Sequence, residues 1–272
     1  MTHRGFVEVA GGRLHYEVAG DGPAVTLIHP GLWDMRTWDR EVHLLANAGY
    51  RTIRYDVRGY GESSFPEAPY SDVEDLRSLL DALGVDRTAL VGCSMGGNIE
   101  ICFTLAHPDR VWALVPVASG ISGFDWSDEV WGPIWEPIEA AASAGDLERA
   151  TDLSLRIWAP LGTDDEAGAT IRRIALDNVR NFELDELGLA EPPDPPPLTR
   201  LEEIDVPTLV IIGDRDVHEI TQIGELIAAA VPGARVTTIE GADHVVNLRQ
   251  PEAFEGALLP FLAESRPADP PL

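Results

Sequence analysis

The chain contains no lysine: all 20 basic side chains are arginine, set against 46 aspartates and glutamates. That absence excludes chemistry built on a Schiff-base or general-base lysine. The resulting formal net charge of −26 argues against nucleic acid and anionic membranes as partners, because both demand a basic patch. It implies a solvated, solubilising surface, with adaptation to high salt as the alternative. Cysteine is scarce, with Cys93 and Cys102 alone. Neither CxxC nor Cys/His ligand spacing occurs, so no metal and no redox framework is expected. Both cysteines read as small packing residues. No apolar run approaches the roughly 20 residues of a membrane-spanning helix. "MTHRGFVEVAGG" lacks the apolar stretch of a secretory leader, so a cytoplasmic location is expected.

Across the 272 residues, enough for one large domain with an insertion, short apolar runs alternate with helical patterns. "GFVEV" and "RLHYEVAG" predict an opening hairpin. "AVTLIHP", "RTIRYD", "TALVGCS" and "VWALVPVAS" predict buried strands. "MRTWDREVHLLANAG", "SDVEDLRSLLDALG" and "GNIEICFTLAHP" predict the helices between them, the second with a serine cap, an acidic first turn and a glycine stop. Such alternation indicates a mainly parallel sheet with helices on both faces. The rhythm breaks over residues 120–200. There only helical patterns occur, in "SDEVWGPIWEPIEAAASAG", "DLERATDLSLRIWAP" and "DEAGATIRRIALDNVRNFELDELG", closed by the stiff connector "AEPPDPPPL". Strands "TLVIIGD" and "ARVTTIE" and helices "EITQIGELIAAAV" and "PEAFEGALLPFLAE" then resume the alternation. The chain therefore divides into a core at 1–119 and 201–265, a helical lid at 120–200, and a flexible tail at 266–272.

One stretch carries chemistry. Gly92-Cys93-Ser94-Met95-Gly96 fits G-x-S-x-G between a predicted strand and a predicted helix. A serine on so tight a turn projects its hydroxyl from the end of the strand, and small neighbours give the passing backbone room. The Met95 amide, at the helix N-terminus, can face a developing oxyanion. Serine needs a base held by an acid. Asp214 and Asp216 follow one later strand and His244 follows the next, so all reach the edge of the sheet that carries Ser94.

These features resemble the α/β-hydrolase fold over nearly the whole chain. Further matches are "LIHPGLWD" to that family's oxyanion loop, "DVRGYGESS" to its D-x-R-G-x-G-x-S loop, "HPDRVWALV" to the lead into the sixth strand, and "GADHVVNLRQPEAF" to its catalytic-histidine segment. Within the family, "YDVRGYGESS" and "LVPVASGISGFDW" are closest to enol-lactonases and small carboxylesterases. The resemblance implies an eight-stranded sheet with a helical cap, and Ser94 as nucleophile with His244 as general base. Asp216 is the implied acid, with Asp214 the alternative and Asp125 a weaker one. Met95 and Gly31 would be the oxyanion donors, with Leu32 the fallback, since Pro30 has no N–H. His218 is the rival base. Asp56 is read as bracing its loop, His29 as holding its own, and His3, His15 and His43 as surface or strand positions. Trp33 and one or two of Trp126, Trp131, Trp135 and Trp158 are expected to line the pocket, the rest packing the lid.

The implied activity is cofactor-free hydrolysis of an ester or lactone of a small, partly apolar molecule. Hydrolysis of a carbon–carbon bond on the same triad and a non-catalytic receptor for small molecules are the alternatives. The serine argues against epoxide hydrolases and haloalkane dehalogenases, which need aspartate there. A homodimer is compatible with the sequence.

Overall fold

The computed structural model describes residues 2–267, without the side chains of Asp185 and Glu186. Most of the tail expected to be flexible, residues 268–272, lies outside the described residues. The opening hairpin pairs β1 (Thr2–Val9) with β2 (Gly12–Ala19). Then follow β3 (Ala24–Ile28), α1 (Asp39–Asn47), β4 (Arg51–Tyr55), α2 (Asp72–Ala82), β5 (Thr88–Cys93), α3 (Met95–Ala106) and β6 (Val111–Val117). Four helices come next: α4 (Asp128–Ser143), α5 (Leu147–Trp158), α6 (Glu166–Asp177) and α7 (Phe182–Leu187). The chain closes with β7 (Leu209–Gly213), α8 (His218–Ala230), β8 (Arg235–Ile239), α9 (Val246–Arg249) and α10 (Pro251–Ser265).

The eight strands form one sheet in the order β1-β2-β4-β3-β5-β6-β7-β8. Only the β1–β2 and β2–β4 pairs are antiparallel. β3, β5, β6 and β7 are buried along their whole length, as parallel strands covered on both faces must be. The strand order reverses around β3, which lies between β4 and β5. Such a reversal opens a crevice at the carboxyl ends of the strands, where open α/β sheets hold ligands. The loops after β3 and β5 both open there. Among the described residues no helix is long and apolar enough to cross a membrane.

The helical segment between β6 and β7 is tied to the sheet domain mainly along α6. Trp33 Nε1 donates to the Ile171 carbonyl at 2.9 Å, and Arg36 reaches Asp177 at 2.8 Å. Asn178 donates to Asp34 at 2.7 Å and accepts from the Gly61 amide at 2.8 Å. The pattern "DEAGATIRRIALDNVRNFELDELG" predicts a continuous helix, yet the structure breaks it at Asn178, the C-cap of α6. The side chain of Asn178 is committed to two core loops, and those partners fix the break.

The sheet domain also buries charge. Arg54 meets Glu17 at 2.7 Å, and Arg58 grips Asp75 with two bonds of 2.8 and 2.7 Å. His15, expected at a surface or strand position, is a buried strand residue, and its Nδ1 bonds Asp56 at 2.9 Å. The Asp56 hydrogen bond raises the His15 pKa above its usual 6.5. Burial pushes Glu41 up to about 7, and burial together with nearby Asp75 does the same to Asp72. In each case the folded protein holds a proton more tightly than the unfolded chain, so stability falls as pH rises. The His15 contribution is complete below about 6.5 and is lost as pH climbs through the raised value. The Glu41 and Asp72 contributions decline from the ordinary carboxylate range up to about 7. Asp34 opposes them: burial raises it, but hydrogen bonds from Arg36 and Asn178 outweigh burial and leave it low. Its stabilisation disappears only in stronger acid. His29, kept neutral by burial, also opposes them, its stabilisation being lost as pH falls below about 6.5, so the melting temperature is expected to peak only slightly on the acid side of neutrality. His15→Gln should flatten the decline above pH 6.5 in a calorimetric pH series; a wild-type maximum above pH 8 contradicts this reading.

Candidate active site

Ser94 stands between β5 and α3 with φ +53° and ψ −111°, a backbone region that costs an L-residue about 1–3 kcal/mol. The surroundings over-determine it. Its amide donates to the Val117 carbonyl at 3.0 Å, and its own carbonyl accepts the amides of Asn98 and Gly120, each at 3.1 Å. The small residues around it answer to space rather than to unusual φ. A Cβ on Gly92 would collide with the Gly96 carbonyl, one on Gly96 with the Ile28 carbonyl, and one on Gly97 with the Ser119 hydroxyl. So β3, β5 and α3 approach one another where only glycine fits, and that approach sets the serine at the crevice.

Beyond β7 the chain turns so that Asp216, not Asp214, meets the histidine. His244 Nδ1 lies 2.8 Å from Asp216 Oδ2 with both side chains buried. The second oxygen of Asp216 accepts the Val217 amide at 2.8 Å. Asp214 points elsewhere, accepting the Gly241 amide at 2.7 Å. With Asp216 on Nδ1, the Nε2 of His244 is left as the acceptor nitrogen. Among the described residues the Ser94 hydroxyl takes no hydrogen-bond partner; such contacts commonly tighten only with substrate present. The Trp158 ring stands 4.6 Å from the imidazole. His218 opens α8. The Cys93 thiol donates to the His244 carbonyl at 3.5 Å, and burial pushes its pKa well up, so it is an inert packing group.

After β3, His29 is fully buried and bridges two loops. The Val57 amide donates to its Nε2 at 2.9 Å, which places the proton on Nδ1, 2.8 Å from the Pro30 carbonyl. Burial lowers its pKa, consistent with a neutral imidazole. Asp56 braces the next loop, accepting the amides of Met35 and Glu62, both at 3.0 Å. The bracing holds Gly31 beside the start of α3: a Cβ on Gly31 would lie 3.9 Å from the Met95 Cβ. Leu32 follows with φ +71°. Met95, as the first residue of α3, has an amide without an intrahelical acceptor. Gly31, Leu32 and Met95 thus flank the serine with backbone that can face an oxyanion.

A cavity of about 700 Å³ opens over Ser94. Trp33, Trp135 and Trp158 line it, joined by Phe182 and Ile138. Trp126 and Trp131 do not. Trp131 stacks against Trp135 at 5.7 Å and against Trp158 at 6.0 Å, and Trp126 meets Trp131 edge-on at 5.0 Å. They pack behind the wall because Trp131 points inward from α4, where it is buried. Trp135 is one of the tryptophans expected at the pocket, but the rest of the α4 stripe it begins, Ile138, Glu139, Ala142 and Ser143, went unread in the sequence, and all of these residues lie on the cavity wall. Their spacing of i, i+3, i+4, i+7 and i+8 is the signal that could have found them. Among the described residues no arginine or histidine lines the cavity, and Glu139 is the one carboxylate there. Among the described residues no cluster of three metal-ligating side chains occurs.

Comparison with known proteins agrees with this geometry. A 2-hydroxy-6-oxononadienedioate/2-hydroxy-6-oxononatrienedioate hydrolase from Paraburkholderia phymatum is 30% identical over 269 residues, covering 93% of this chain and 91% of that protein. The crystal structure of an enol-lactonase from Burkholderia xenovorans superposes with a TM-score of 0.79 at 26% identity, covering 95% of this chain and all of that one. A hydrolase from Pseudomonas aeruginosa gives 0.79 at 30% identity, covering 95% and 98%. The family model described as the alpha/beta hydrolase family matches residues 27–257. With the fold, the elbow and the sheet order in agreement, this chain belongs to the alpha/beta hydrolase family.

Proposed function

We propose that the protein is a serine hydrolase cleaving the ester or lactone bond of a small, uncharged, partly apolar molecule. Ser94 Oγ attacks the carbonyl carbon while its proton passes to His244 Nε2. The amides of Met95 and Gly31, with Leu32 adjacent, hold the oxyanion, and Asp216 stabilises the imidazolium. Collapse of the tetrahedral intermediate breaks the C–O bond, and His244 returns the proton to the leaving oxygen. Water, deprotonated by His244, then releases the acid from Ser94.

The observation that carries the choice of substrate is the charge of the cavity wall. A dienedioate, the substrate in the name of the Paraburkholderia phymatum relative, brings two carboxylates into the site. Among the described lining residues it would find aromatic rings and Glu139 but no cation. Burying a carboxylate without a partner costs several kcal/mol, whereas a neutral acyl group gains from the same walls. Short-chain p-nitrophenyl esters and γ-lactones are therefore expected to exceed the dienedioate in kcat/KM by about a hundredfold or more. Steady-state assays on the three substrate types decide it. Faster turnover of the dienedioate would replace this reading with carbon–carbon bond hydrolysis. Tight ligand binding with no turnover, and no fluorophosphonate labelling of Ser94, would make the protein a receptor.

A further inference from the structure

A buried ion pair that takes no part in the proposed chemistry joins the histidine loop to one corner of the helical segment. Asp243, immediately before His244, is fully buried, and the Arg249 side chain is only 3% exposed. Arg249 Nε donates to both Asp243 oxygens, at 3.1 and 3.0 Å. Its amino groups reach across to the Gly162 carbonyl at 2.6 Å and to Asp165 at 3.2 Å. Asp243 in turn accepts the Leu161 amide at 3.4 Å, and Asp165 caps α6 by accepting the Gly168 amide at 2.6 Å. Every one of these cross-contacts falls in the turn between α5 and α6. That turn begins just after Trp158, whose ring lies against His244.

Asp216 fixes one atom of the imidazole, Nδ1, and leaves the tilt of the ring to whatever packs against it. The packing group is Trp158, and its place relative to the histidine loop is set by the turn that Arg249 grips. A buried ion pair contributes little net stability compared with apolar residues of the same volume, but its directed bonds allow only one relative placement. Resting on the serine hydrolase reading, we propose that Asp243 and Arg249 are positioning residues. They lock the α5–α6 turn to the histidine loop so that Trp158 holds the His244 imidazole in line with Ser94. Because Trp158 also walls the cavity, a substrate pressed against that wall bears on the same joint that aligns the base.

The test compares Arg249→Met, Arg249→Lys and the double variant Asp243→Asn/Arg249→Met with wild type. Arg249→Met alone leaves the Asp243 charge buried and unpaired, which can cost the fold; the double variant removes that charge and still lacks the clamp. Two readouts are taken on folded protein. One is the downfield proton NMR signal of His244 Nδ1–H, which needs no substrate. The other is fluorophosphonate labelling of Ser94, with kcat and KM on p-nitrophenyl butyrate. In the double variant we expect an exchange-broadened Nδ1 signal, labelling and kcat lower by about tenfold to a hundredfold, and KM within about threefold. Arg249→Lys should recover part of the loss, since an ammonium replaces some of the donors but not the fork. A folded double variant with a sharp Nδ1 signal and labelling within about twofold of wild type overturns the proposal. If wild type itself resists the probe, the hydrolase reading fails, and the Nδ1 signal alone decides the clamp.

Discussion

Ser94→Ala is expected to lower kcat on a neutral aryl ester by about 10⁶-fold, the usual scale for losing a triad nucleophile, with the melting temperature nearly unchanged. The backbone bonds that hold position 94, from Val117, Asn98 and Gly120, survive the substitution, so a lost signal reports chemistry and not unfolding. Fluorophosphonate labelling should vanish in the same variant. The measurement is a burst-corrected initial rate beside intact-protein mass spectrometry. Retention of more than about a tenth of wild-type turnover would remove Ser94 from the mechanism. Cys93 offers no substitute, because its thiol faces the His244 carbonyl and burial keeps it protonated.

Asp216→Asn should cost about 10⁴-fold in kcat, and the geometry says why. The Asp216 oxygen on the Val217 side accepts an amide N–H, so an asparagine must place its carbonyl oxygen there. Its NH₂ then faces His244 Nδ1, which can only accept, and the imidazole proton moves to Nε2. A base carrying its proton on Nε2 cannot take another from Ser94. Asp214→Asn provides the control. Its carbonyl oxygen can still accept the Gly241 amide, and turnover should stay within about tenfold of wild type. The pair of initial-rate measurements separates the two carboxylates; equal losses in both variants would point to loop disruption instead of a tautomer effect.

The parts of the fold legible in the sequence are those whose cause is local. Continuous apolar runs marked the buried strands. The glycines of "LVGCSMGG" marked an elbow because no other residue permits the approach of β3, β5 and α3. What could not be read depends on partners far along the chain. The family resemblance favours Asp216 over Asp214, but position after the strand does not separate them; their side-chain directions across the β7 turn do. The break at Asn178 depends on Asp34 and Gly61, so the helical pattern runs through it unmarked. His15 looked like a strand position with no special partner until the fold brought Asp56 beside it. The rings of Trp126 and Trp131 match the other lid tryptophans in type, and stacking order alone places them behind the wall.

The glycine contacts at the elbow and the stripe along α4 differ in what they tolerate. At Gly92, Gly96 and Gly97 a single added carbon meets backbone or a buried hydroxyl, so those positions admit almost no inherited variation. Ile138, Glu139, Ala142 and Ser143 line the cavity from a helix that packs chiefly on α5, and exchanges there leave the sheet edge unaltered, whereas Trp135 packs against the Trp158 ring that meets His244. Selection can therefore retune what the enzyme accepts one side chain at a time without passing through inactive ancestors.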